Sequence, residues 1–103
     1  MPRQVRLSDE AAADLDAVYR WQVQPGAGPT ALRRLRIIAA AIRRLHRNPC
    51  LYGKGEKSGT REFSVEGHRI VYAVRPDTNN NATAGDVTVL RVFGPGQNRK
   101  VDA

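Results

Sequence analysis

Arg61, His68, Arg69 and Tyr72 fall inside one twelve-residue stretch, and their side chains are of kinds that act on phosphate esters. Cleavage of RNA through its 2′-hydroxyl asks for three groups. A base takes the hydroxyl proton, a cation meets the charge building on phosphorus, and an acid protonates the leaving oxygen. Arg61 and Arg69 can supply charge. Neither serves as acid or base, because a guanidinium does not readily lose its proton. A histidine titrates in the right range, yet strand alternation sets His68 on the face opposite Arg69. No complete acid–base set gathers on one face. Other chemistries find less. His46 and His68 have no cysteine or carboxylate at ligand spacing, so no metal site is expected. Ser58 and Ser64 lie near His68 without a relay. Gly53-Lys54-Gly55 is not followed by a helix and so builds no phosphate cradle. No cofactor motif is present.

The elements that would position these residues can be read along the chain. Arg3 to Leu7 alternates and suits a short strand. Ser8 is a good N-cap, with Asp9 and Glu10 in the first turn behind it. Ala11, Leu15 and Val18 continue a helix to about Gln24, with Tyr19 and Trp21 on its flanks. Pro25-Gly26-Ala27-Gly28-Pro29 ends it. Thr30 is expected to cap a second helix whose apolar stripe is Leu32, Leu35, Ile38, Ala39, Ile42 and Leu45. Arg33, Arg36, Arg43 and Arg47 form a separate basic stripe, with Arg34 and Arg44 beside it. Asn48-Pro49 closes the helix. Cys50 to Gly59 has no periodicity and reads as a mobile loop. Thr60 to Val65 and His68 to Arg75 read as two strands around a tight Glu66-Gly67 turn. Asp86 to Phe93 is a third long strand, reached through a wide loop over 76–85. The tail from Gln97 is polar.

The expected fold is α+β: an N-terminal strand, an α-helical hairpin, then a three-stranded antiparallel meander, β-α-α-β-β-β. The helices cover one sheet face and the other stays open. Phe63, Tyr72 and Phe93 are expected in the core. A chain of 103 residues suits one domain over 1–103. A single cysteine, Cys50, excludes a disulfide framework. No segment is apolar enough to span a bilayer, and the N-terminus lacks the apolar stretch of an export signal, so a cytoplasmic protein is expected. The net charge of +7 comes mainly from arginine. It calls for a polyanionic or acidic partner, nucleic acid or protein, which arginine serves equally.

The combination D-L-D-A-V-Y, a Pro turn, A-L-R-R-L-x-x-I-x-x-x-I-R-R-L, N-P, R-E-F-S-V-E-G-H-R-I-V-Y-A-V and a closing V-T-V-L-R-V-F-G resembles the RelE/ParE superfamily of bacterial toxins from type II toxin–antitoxin systems. The match runs over roughly residues 3 to 96. It implies a helix hairpin on an antiparallel sheet and a cognate antitoxin whose C-terminal segment wraps the toxin. RelE-like members cleave mRNA in the ribosomal A site, and ParE-like members block DNA gyrase. The RelE-like set implies lysines on the first meander strand, an arginine on the second, and an arginine and a tyrosine after the last. Here the first strand carries Arg61 and no lysine, Arg69 matches the second-strand arginine, and no tyrosine follows Tyr72. Arg99 is a loose match to the second arginine. Tyr19-Arg20-Trp21-Gln22-Val23-Gln24-Pro25 and Arg61-Glu62-Phe63 look more like the ParE branch. On that resemblance the expected activity is gyrase inhibition, with ribosome-dependent RNA cleavage through Arg61 and Arg69 as the alternative. The residues offered to antitoxin or target are Arg33, Arg36, Arg43, Arg47, Arg61, Arg69 and Arg91.

Overall fold

The computed structural model describes residues 3–22 and 28–94, with the side chains of 21 and 22 outside the description. The elements are β1 (Val5–Leu7), α1 (Asp9–Gln22), α2 (Gly28–Arg43) with a 3-10 turn over Arg44–His46, β2 (Arg61–Val65), β3 (His68–Arg75) and β4 (Asp86–Phe93). The order β-α-α-β-β-β is the expected one. The sheet runs β1-β4-β3-β2, with β1 parallel to β4 and the other pairs antiparallel. The helical layer lies on one face and encloses Ile38, Ile42 and Leu45 with Phe63, Ile70, Tyr72, Val74, Val87, Val89 and Val92.

Several boundaries differ from the sequence reading. Helix α2 starts at Gly28, not Thr30. Pro29 therefore stands in its first turn, where the missing N–H would have lacked an intrahelical acceptor anyway. The far end expected for α1, beyond Gln22, lies outside the described residues. The buried side of α2 is Ala31, Ile38, Ala41 and Ile42. Leu32, at 42 % exposure, is left out of it. Strand β1 is shorter than expected and does not include Arg3. The Arg3 guanidinium donates to the carbonyl oxygens of Asn81, Ala84, Gly85 and His46.

The Cys50–Gly59 segment is not a free loop. The Gly55 N–H donates to the Thr60 oxygen, the Glu62 N–H donates to Gly53, and Lys54 bridges Arg61. Its backbone thus extends the outer edge of β2. The hairpin turn has positive φ at both Glu66 (50°) and Gly67 (74°), the type I′ geometry that matches strand twist.

One irregularity decides which side chains face the helices. Val71 pairs with Arg91, but the next residue, Tyr72, pairs with Val89, so Leu90 is an extra residue in β4. Val87 and Val89 point to the helices below this bulge, and Val92 does so above it. Arg91 and Phe93 are thereby turned to the opposite face. Phe93 is buried, as expected, but outside the core with Phe63 and Tyr72. The second face is not open either: Val71, Ala73 and Phe93 are all at most 3 % exposed.

The edge of β4 beyond β1 is sealed by α1. The Ser8 N–H donates to Val89, and the Ser8 hydroxyl donates to the Leu90 carbonyl. The same hydroxyl oxygen accepts from the Ala11 N–H at 3.0 Å, which is the expected cap. Six residues on, Asp14 accepts from the Val92 N–H at 2.8 Å and pairs with Arg91 at 2.8 Å. Asp14→Ala is expected to cost about 2 kcal/mol, the usual scale for losing charge-assisted hydrogen bonds. Urea unfolding of the two proteins measures it.

Candidate functional site

The two arginines of the hairpin have different fates. In a two-residue turn, directly opposed residues have numbers of opposite parity. Arg61 sits opposite Tyr72 on the helix face, and Arg69 sits opposite Ser64 on the other. They do not converge on one substrate. Arg61 is 3 % exposed. Its Nε and Nη2 donate to the two Asp77 oxygens at 2.8 and 2.9 Å. The Asn79 side chain accepts at 3.0 Å, and the carbonyls of Tyr52 and Cys50 take the remaining donor nitrogen. The bidentate hydrogen bonds to Arg61 hold the Asp77 carboxyl well below the usual carboxylate range, against the opposing effect of burial. This arginine ties the 50–54 and 77–79 segments to the sheet, with all three of its side-chain nitrogens engaged internally.

Neither proton-transfer candidate is poised for transfer. Tyr72 is fully buried and donates its hydroxyl proton to the Pro49 oxygen at 2.7 Å. Burial pushes its pKa up to about 12, and the Arg61 charge only partly offsets this. It pins the end of the α2 extension to the sheet. His68 is 2 % exposed, with Nδ1 2.8 Å from the Glu66 oxygen. Among the described residues no group of three or more His, Cys, Asp or Glu can hold a metal, and no helix is long and apolar enough to cross a membrane.

The second face carries a different constellation. The guanidinium carbons of Arg69 and Arg91 each lie 4.7 Å from the centroid of the Phe93 ring. Arg69 also reaches Glu62 at 3.3 Å and Glu56 at 3.8 Å. The Glu66 carboxylate in the turn faces Arg34 instead, 4.0 Å away. Stacking on an aromatic face and carboxylate contacts on the flank hold each guanidinium in a fixed orientation. Both side chains remain about 30 % exposed, so they form a preset charged surface around one buried ring. Arg33, Arg36, Arg43 and Arg47, with Arg44, are exposed on the helical layer, away from this face. The predicted binding residues thus divide into a sheet-face pair, a helix-face row, and Arg61, which is internal.

Sequence reasoning missed Asp77 and Asp14, the carboxylates that fix Arg61 and Arg91. Asp14 had a signal, since D-L-D places it one residue before the buried-side Leu15 and within reach of a strand edge. Asp77 had none beyond its position after Pro76.

A family model for the ParE toxin of type II toxin–antitoxin systems, parDE, matches residues 5–98. No curated protein sequence matches the chain. Among solved structures, a chain of the chromosomal ParDE toxin–antitoxin system of P. aeruginosa superposes with a TM-score of 0.69 at 21% identity. The alignment covers 91% of this chain and 97% of that one, so the likeness is one of fold. With the family match spanning all seven elements, this chain belongs to the ParE toxin family of type II toxin–antitoxin systems.

Proposed function

We propose that the chain inhibits DNA gyrase, halts replication in the cytoplasm, and is kept inactive by a cognate antitoxin. The observation that carries this reading is the dispersal of the ribonuclease groups. Arg61 is locked to Asp77 on one sheet face, Arg69 lies on the other, and His68 and Tyr72 are buried. An inhibitor needs a shaped surface and no proton relay. The Arg69–Phe93–Arg91 face supplies one, with planar cations that suit carboxylates of a gyrase subunit or of an antitoxin segment. Membership of a parDE family supports an antitoxin as partner.

Induction without antitoxin, followed by pulse-labelling of DNA and protein synthesis, tests the proposal. DNA synthesis stops first if gyrase is the target. If translation stops first, the ribosome-dependent ribonuclease takes its place. Arg69→Ala is expected to weaken gyrase inhibition about tenfold, the effect of losing an interface arginine worth 1–2 kcal/mol, and to leave antitoxin binding largely intact. A supercoiling assay and a titration with antitoxin measure the two separately.

A further inference from the structure

The positive charge of this chain is concentrated in one place. Eight of its seventeen basic residues and none of its ten acidic ones lie between residues 17 and 55. The rest, with nine basic and ten acidic residues, is close to neutral. Most of the eight are on α2 and its 3-10 extension. Arg33, Arg36 and Arg43 project within an arc of about 80°, on the side away from the buried Ile38 and Ile42. Arg44 and Arg47 continue the row past the end of the α-helix. All five are exposed, and among the described residues none of them forms an ion pair. In contrast, Arg61, Arg69 and Arg91 each have a carboxylate partner. A solvated arginine face needs no such concentration, and five unpaired cations side by side repel one another.

From Arg33 to Arg47 the row is about 21 Å long, at 1.5 Å per residue. One strand of duplex DNA presents a phosphate every 3.4 Å of axis, about six over that length. We propose that this face of α2 binds the phosphate backbone of duplex DNA without reading sequence. The arc holds no aromatic residue. Single-stranded nucleic acids are held by bases stacked on aromatic rings, so a duplex fits better. An acidic protein segment would need apolar anchors among the charges, and within this arc the only apolar residue is the partly buried Ala40, with the exposed Leu32 at its edge before Arg33. The small Ala40 side chain lets a phosphate strand approach the helix closely. The proposal does not depend on gyrase being the target.

The test uses the full chain and a labelled duplex of ~20 bp, followed by fluorescence anisotropy from about 50 to 200 mM salt. The logarithm of the binding constant should fall linearly with the logarithm of salt concentration. In Arg36→Gln/Arg43→Gln/Arg47→Gln the slope should shrink by about 2 to 3, and binding at the lowest salt should drop about tenfold or more. Arg33→Gln/Arg44→Gln is a separate removal that should shrink it by about 1 to 2. Arg6→Gln/Arg75→Gln removes exposed cations elsewhere and should leave the slope unchanged. Circular dichroism melts confirm that each variant folds. Absence of duplex binding at low salt overturns the proposal, as does an equal loss in the Arg6/Arg75 control. It is also overturned if a polyglutamate peptide or a single-stranded RNA of equal charge competes better than unlabelled duplex.

Discussion

Asp77→Ala should lower stability by about 3–5 kcal/mol, because it leaves the Arg61 guanidinium buried without its counter-ion. In a domain of this size each kcal/mol shifts the melting midpoint by about 4–8 °C, so the loss is at least about 12 °C. The neighbours cannot compensate. The Cys50 and Tyr52 carbonyls and Asn79 carry only partial charges, and the Lys54 ammonium, 3.6 Å from Asp77, would add repulsion once the carboxylate is gone. Arg61→Met/Asp77→Leu should be less harmful than Asp77→Ala, since removing both charges also removes their desolvation. A midpoint for Asp77→Ala within a few degrees of the parent would show that the pair contributes little.

The same pair sets an acid limit. Arg61 holds the folded-state pKa of Asp77 below its unfolded value of about 3.9. A depressed carboxyl contributes stability that is complete above the unfolded value and lost as pH falls toward the folded one. Midpoints should therefore be insensitive to Asp77 above about pH 5 and fall below about pH 4. That acid decline should be shallower in Asp77→Asn. Thermal melts of both proteins across this range measure the difference.

Gly85→Ala is the second large effect. A Cβ there would lie 1.9 Å from the Arg75 carbonyl oxygen and 2.5 Å from Pro76 Cδ. Main chain cannot rotate out of the way as a side chain can. Both backbone groups of Gly85 are also engaged, its N–H with the Pro76 oxygen and its carbonyl with the Arg3 guanidinium. The expected cost is about 3 kcal/mol or more, at the upper end for overpacking. Gly53→Ala is the matched control. Nothing lies within 4 Å of its added methyl, so its effect should stay within about 0.5 kcal/mol. Chemical denaturation of the pair separates the clash from the general cost of replacing glycine.

These sensitive positions were poorly legible in the sequence, although the element order was clear. Ser8 before two acids marked α1, and the Glu66-Gly67 turn marked the hairpin, because both signals are local. The opposition of Arg61 and Arg69 was also encoded there. Once the turn has two residues, strand alternation places them on opposite faces. What stayed hidden depends on contacts distant in sequence. Asp77 meets Arg61 across sixteen residues of chain, and alternation cannot tell whether a face ends in solvent or in a lined cavity. Leu90 carries no bulge signal, so Phe93 was expected beside Tyr72 and instead lies under two guanidiniums. The Cys50–Gly59 segment has no periodicity because it pairs through its backbone, without burying a regular face.

The seal on β4 ties two things together. Strand β1 covers only three residues of that edge, and the remainder is held by the first two turns of α1 through Ser8 and Asp14. Undocking of α1 therefore also uncovers a template for strand addition. Each excursion of the helix exposes the Val92 amide to solvent exchange and, in a crowded preparation, to the edge of another molecule. Hydrogen exchange at the Val92 amide therefore reports how tightly one aspartate on a helix holds one amide of the sheet.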